Sequence, residues 1–178
     1  MKPKGHQQKQ RRQGPRPAKG PECVANYGVW FLSKFGDTSE KNLRTKMRNK
    51  TDNESWIDAA IQKLIDLDYQ SDERFAELIV RRGLESKSWG HARIEAEMVR
   101  KGVPSEVAKE ALVALQDDDP AERATDALAK KFRLRELVEQ KDRGRATRYL
   151  ASRGFDFQSI SVAIARHNGE ISRAGQEP

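Results

Sequence analysis

Leu43-Arg44-Thr45-Lys46-Met47, Ile94-Glu95-Ala96-Glu97-Met98 and Ala146-Thr147-Arg148-Tyr149-Leu150 are one helical phrase written three times, at offsets of 51 and 52 residues. Apolar residues open and close each copy at a spacing that places both on one helix face. A basic residue and a turn follow each time: Lys50-Thr51-Asp52, Lys101-Gly102-Val103 and Arg153-Gly154-Phe155. A second apolar stripe comes next. It is Trp56, Ala60, Ile61 and Leu64 in the first copy, Val107, Ala111, Leu112 and Leu115 in the second, and Ile160, Ala163 and Ile164 in the third. Self-similarity at this period marks a repeat architecture, in which each unit is too small to bury its own apolar faces.

A leading helix precedes each phrase. Ser71-Asp72-Glu73-Arg74-Phe75-Ala76 starts one, with Ser71 as cap, two acids in the first turn where the helix dipole favours them, and Phe75, Leu78 and Ile79 turned inward. The first copy spans Val24 to about Phe35, with Val29, Trp30, Leu32 and Phe35 as its apolar residues, and the third begins at Glu122-Arg123-Ala124-Thr125. Trp30 and Trp56 lie on apolar stripes and read as core. Trp89, in Ser86-Lys87-Ser88-Trp89-Gly90, reads as core in preference to an exposed anchor. Thr51-Asp52-Asn53-Glu54 fits a capping box, and Gly102 and Gly154 fall where a helix C-terminus takes a left-handed residue. No segment alternates as a strand would. The expected fold is all-α: three tandem three-helix repeats, at 24–66, 71–116 and 120–168, stacked as an elongated, curved array. A disordered basic tail over 1–22 is expected before them, and a C-terminal tail over 169–178 after them.

Composition limits the function classes. Apolar residues are 36% and charged residues 34%, which suits slender bundles and not one large core. The net charge of +7 is uneven: Lys2, Lys4, Lys9, Arg11, Arg12, Arg16 and Lys19 carry it, and without these seven the remaining 27 basic residues balance 27 acids. No apolar run reaches the roughly 18 residues of a membrane span, so no membrane contact is expected. The single cysteine, Cys23, is expected to be a free thiol in a reducing cytoplasm. His6, His91 and His167 are too scattered for a metal set, and no phosphate-binding loop, nucleophile triad or carboxylate pair occurs. Catalytic, cofactor and metal sites are therefore all read as absent, and the chain as no enzyme.

The run Tyr69-Gln70-Ser71-Asp72-Glu73-Arg74-Phe75-Ala76 resembles the signature of the RecX family, the bacterial regulators of the RecA recombinase. The rest of the pattern is similar too: Ser39, Leu43, Lys46 and Met47 in the first unit, Trp89-Gly90 through Lys101-Gly102-Val103 in the second, and Arg153-Gly154-Phe155 in the third. The likeness covers residues 24–168, with Thr51-Asp52 standing where the other units have a turn glycine. It implies a cytoplasmic regulator, monomeric and without cofactor, that binds the RecA–DNA filament and restrains its growth, ATP hydrolysis and strand exchange in recombination and the SOS response. Phe75, Ala76, Met98 and Gly102 are then core and turn positions.

Such a filament presents acidic protein surface and phosphate, so exposed cations are the candidate contacts. Arg81 and Arg82 end one leading helix, and Lys130 and Lys131 end the equivalent one. Arg93, Arg100, Lys101, Arg145, Arg148 and Arg153 belong to the middle helices. Contact with single- or double-stranded DNA would be weak and salt-sensitive. The competing account of any one of these cations is a solvated face paired at i, i+4 with an acid such as Glu97. The alternative function is a stand-alone helical DNA-binding protein or transcription regulator, although third helices such as 104–116 are apolar and acidic where base readout needs Arg, Asn or Gln.

Overall fold

The computed structural model describes residues 17–85, 88–113, 119–133 and 135–174. The expected disordered stretch 1–16, Leu115, the Asp117-Asp118 linker and residues 175–178 lie outside them. Nine helices and no strand occur among the described residues: α1 (Pro21–Phe35), α2 (Glu40–Arg48), α3 (Glu54–Asp66), α4 (Asp72–Glu85), α5 (His91–Lys101), α6 (Ser105–Val113), α7 (Pro120–Phe132), α8 (Gln140–Ser152) and α9 (Phe157–Ala174). They form three consecutive triplets, and in each the first and third helices are the main packing pair. Two boundaries differ from expectation. Pro21, rigid in φ and free to sit at a helix start, opens α1 two residues inside the expected tail. At the other end α9 runs to Ala174, past the expected limit of 168.

Two compact units result. Unit 1 comprises residues up to Gly36 together with Leu43–Tyr69; unit 2 comprises Asp37–Asn42 and everything from Gln70. In unit 1, Val24, Ala25, Phe31 and Leu32 of α1 meet Leu43 and Met47 of α2 and Ile57, Ala60, Ile61 and Leu64 of α3. Ala60, Ile61 and Leu64 of α3 are buried as expected, but at the head of the stripe Ile57 is fully buried while Trp56 only leans on the core. Trp30, expected in the core, is 49% exposed, and Phe35 is 61% exposed. Phe31 and Leu32 take the inward positions, so the ring one residue earlier points away from α3. The cap of α3 is Asn53, whose side chain accepts from the Trp56 N–H at 3.2 Å, while Thr51 accepts from the Asn53 N–H at 3.1 Å. The cap thus lies two residues later than a capping box begun at Thr51.

Unit 2 holds two cores. One joins Phe75, Ala76, Ile79, Val80, Ile94, Met98, Val103 and Ala108, with Trp89 packed against it. The other joins Ala124, Ala127, Leu128, Leu137, Ala146, Leu150, Phe155, Ile160, Ala163 and Ile164. Ser71 caps α4 as expected, accepting from the Arg74 N–H at 2.9 Å. His167 is buried, its Nε2 lying 3.2 Å from the Arg135 carbonyl, and neighbouring Asn168 accepts from the Leu137 N–H at 2.8 Å. These contacts pin the segment between α7 and α8 onto α9.

One junction recurs inside unit 2. Ser39, at the start of α2, donates through Oγ to the Lys101 carbonyl at 2.6 Å, beside the turn at Gly102. At the equivalent place Gly90, at the start of α5, donates its N–H to the Arg153 carbonyl at 2.8 Å, beside Gly154. The start of a middle helix is thus seated on the turn that follows the middle helix one repeat further along. Gly102 and Gly154 both have φ of +84°, a left-handed conformation that only glycine takes without strain. A Cβ on Gly90 would run into the Gly154 carbonyl, and one on Gly154 would stand 2.6 Å from the Arg93 Cβ. Ser39 also accepts from the Asn42 N–H at 3.2 Å, and the Asp72 carboxylate accepts from the Glu40 N–H at 2.8 Å, so α2 starts with two orphan donors satisfied. Burial pushes the Asp72 carboxyl above its ordinary range.

Gly154→Ala should lower stability by about 2 kcal/mol in urea unfolding, because strain and collision add at one residue. Gly169→Ala, in α9 with nothing near its added methyl, should be neutral or stabilising. Asp156 caps α9, accepting from the Ser159 N–H at 2.9 Å and hydroxyl at 2.7 Å, and these bonds hold its carboxyl below the usual 3.8. With a lowered folded value, the contribution is complete above pH 3.8 and fades as pH falls through that lowered value. Asp156→Ala should therefore cost about 1 kcal/mol at neutral pH, and its unfolding curve should converge on the wild-type one in acid.

Candidate partner interface

The ten candidate cations separate by what already holds them. Arg100, at the end of α5, makes a two-pronged pair with Glu97, its Nε at 2.8 Å, and this pair holds the Glu97 carboxyl below its usual range. Arg145 lies 3.5 Å from Asp142, a carboxylate that is itself buried and whose nearer partner is Arg135 at 2.8 Å. Arg93 lies over the Trp89 ring at 5.5 Å. Arg153 lies over the Tyr149 ring at 4.6 Å, and Lys131 approaches the same ring at 6.0 Å. Tyr149 therefore brings the end of α7 and the end of α8 together under two cations, a grouping their positions in the chain do not reveal. The guanidinium of Arg135, missed by the repeat comparison because it lies between helices, neutralises the buried acid of α8.

Arg81, Arg82, Lys101, Lys130 and Arg148 are exposed and make no ion pair, hydrogen bond or ring contact among the described residues. Their settings differ. Lys101 and Arg153 each close a middle helix, where a cation suits the C-terminus, and their carbonyls receive the start of the middle helix one repeat earlier. Arg81 sits on a groove of about 500 Å³ between α4 and α6, floored by Val80, Leu84, Val107 and Ala111 and rimmed by Glu73, Glu77, Glu85 and Glu110. Four acids to one base make that face unfavourable for phosphate. On α8, by contrast, Arg143, Arg145 and Arg148 are all exposed while Asp142 is buried and paired, so the outward charge of that helix is positive. Lys130, Lys131 and Arg148 are exposed and have no acid paired to them among the described residues.

Among the described residues no group of His, Cys, Asp or Glu could hold a metal ion, and no helix is long and apolar enough to cross a membrane. Cys23 is exposed and unpaired.

The fold and this surface define a tandem three-helix-repeat protein. Residues 71–112 match the RecX second three-helix domain and residues 117–164 match the RecX third three-helix domain. "Regulatory protein RecX" of Chromohalobacter salexigens is 37% identical over 137 residues, 77% of this chain and 88% of that protein. The protein of the same name from Haemophilus influenzae strain PittEE is 33% identical over 147 residues, 82% of this chain and 95% of its own. The chain belongs to the RecX family. The longer RecX of Photobacterium profundum is 36% identical over 117 residues, and the chain spans only 44% of its length. The crystal structure of RecX from Lactobacillus salivarius shares the fold, with a TM-score of 0.71 at 24% identity over 83% of this chain and 96% of that one.

Arg135→Ala should cost about 1 kcal/mol or more in urea unfolding, since it strips a buried carboxylate of its nearer partner. Lys130→Gln and Arg148→Gln, which break no contact, should stay within about 0.5 kcal/mol of the parent. A large loss at either would place that cation in the fold's own framework.

Proposed function

We propose that this chain is a regulatory protein that binds the RecA–DNA filament and restrains its growth, ATP hydrolysis and strand exchange during recombination and the SOS response. The family relationship supports the regulatory role, since the relatives matched over most of their length bear the name "Regulatory protein RecX". The observation that carries the contact is a set of exposed cations, Lys130, Lys131 and Arg148, on α7 and α8. Lys131 and Arg153 approach the Tyr149 ring, Lys130 and Arg148 adjoin Lys131 and Tyr149 along the chain, and no acid is paired to Lys130, Lys131 or Arg148 among the described residues. Such a surface suits an acidic protein groove with phosphate beneath it. Arg82 and Lys101 are auxiliary contacts, while Arg100 and Arg145, held by Glu97 and Asp142, contribute less. The protein acts as a cytoplasmic monomer, with no catalytic step of its own. The acid-rimmed groove beside α6 weighs against its third helix reading duplex bases as a transcription regulator would.

Equimolar protein should slow RecA ATP hydrolysis on single-stranded DNA, and the effect should weaken as salt rises. Replacing Lys130, Lys131 and Arg148 together by Gln should lower filament affinity about tenfold and flatten the salt dependence by close to one unit per phosphate contact removed. An unchanged ATPase rate at equimolar protein would remove the basis of this reading.

A further inference from the structure

Trp30, Tyr27 and Phe35 lie together on α1 in unit 1. Trp30 is half exposed, Phe35 more so, and Tyr27 is partly buried against the core. Singly exposed apolar side chains are ordinary, whereas adjoining exposed aromatics mark an interaction surface. The rings are arranged before any ligand arrives. Tyr27 and Trp30 stack with centroids 5.6 Å apart and planes 26° from parallel, and Phe35 meets Trp30 edge-on at 6.0 Å. Buried Phe31 backs Phe35 at 4.8 Å. Little rotamer freedom is left to lose on binding.

Cations are interleaved with the rings. Lys34 lies over Trp30 at 5.1 Å and over Phe35 at 5.6 Å, and Lys50 lies over Tyr27 at 4.6 Å. At the Tyr27 end a cavity of about 240 Å³ is lined by Pro17, Ala18, Lys19, Cys23, Tyr27 and Lys50. It is held in shape by the Ala18 N–H donating to the Lys50 carbonyl at 2.8 Å. Lys19, Lys34 and Lys50 have no acidic partner among the described residues, and Glu22 is the only acid of α1. The basic run Lys2, Lys4, Lys9, Arg11, Arg12 and Arg16 joins the chain directly at Pro17, on the wall of that cavity.

We propose that this face of unit 1 is a binding site for single-stranded nucleic acid, with bases stacked on Trp30, Phe35 and Tyr27 and phosphates met by Lys34, Lys50 and Lys19. Rings offer faces to unpaired bases and none to a closed duplex, whose bases are already stacked on each other. The ammonium groups parked over the rings need only swing outward to meet phosphate as a base takes their place. A protein partner of the opposite kind, acidic and apolar, would satisfy the lysines but would not use alternating rings and cations. Base stacking is sequence-tolerant, so affinity for pyrimidine and purine strands should be similar.

The test uses the full chain and labelled oligo(dT), without recombinase, so its outcome is separate from that of the filament assay. Wild-type protein should bind oligo(dT) more tightly than a duplex of equal length. Trp30→Ala and Phe35→Ala should each weaken oligo(dT) binding about tenfold with the salt slope unchanged. Trp30→Phe should restore most of the loss. Lys34→Gln and Lys50→Gln should each flatten the slope by about 0.7. Unfolding curves for each variant separate lost binding from lost fold. Oligo(dT) affinity untouched by Trp30→Ala and Phe35→Ala in folded protein would overturn the proposal, as would equal losses on duplex. Filament binding abolished by Trp30→Ala with oligo(dT) binding intact would make this a protein-docking face instead.

Discussion

The turn after a middle helix receives the start of the middle helix one repeat earlier, and the arrangement within unit 2 rests on that contact. Its chemistry is a single hydrogen bond to a carbonyl at the end of a helix, from Ser39 to Lys101 and from Gly90 to Arg153. Helix C-terminal carbonyls lack partners inside their own helix, and helix N-terminal donors lack them too. Seating one against the other satisfies groups that would otherwise need water, in a place where neighbouring repeats exclude it. A φ of +84° favours glycine at both Gly102 and Gly154, and at the second junction the backbones approach so closely that the incoming residue, Gly90, is glycine as well. The two junctions solve the same problem differently, by a serine hydroxyl and by a bare backbone N–H.

That contact also changes the meaning of the recurrent basic residues. Lys101 and Arg153 stand at equivalent positions where a middle helix closes and a cation suits its C-terminal carbonyls, so recurrence there has a structural cause before any functional one. The cations that remain for a partner are those that the fold does not consume. Arg100 and Arg145 are engaged by Glu97 and Asp142, while Lys130 and Arg148 are not. Exposed pairs such as Arg100 with Glu97 contribute little to stability, yet they subtract from the charge a partner meets.

Periodicity in the sequence was enough to read the helices, the triplets and the left-handed turns, because apolar spacing and glycine placement are local consequences of helix geometry. The phase of a stripe was less legible. Trp56 and Ile57, or Trp30 and Phe31, are both apolar, and neighbouring residues point 100° apart on a helix; only the position of the packing partner decides which turns inward. Ile57 and Phe31 did, leaving Trp56 at the margin and Trp30 outside. The cap at Asn53 was hidden for a similar reason, since Thr51, Asp52 and Asn53 are all competent to cap and the first helical turn selects one.

By itself, then, the sequence determined the all-α class, the threefold repetition, the family likeness and the separation of a basic N-terminal run from a neutral body. Each depends on residue type and spacing along the chain. Tertiary structure alone decided which cations are already neutralised, that Tyr149 collects Lys131 and Arg153, and that Tyr27, Trp30 and Phe35 form a cation-edged aromatic face. Charge pairing and exposure depend on distances between residues far apart in the chain. Those distances are set by how helices pack, a quantity that a period cannot encode.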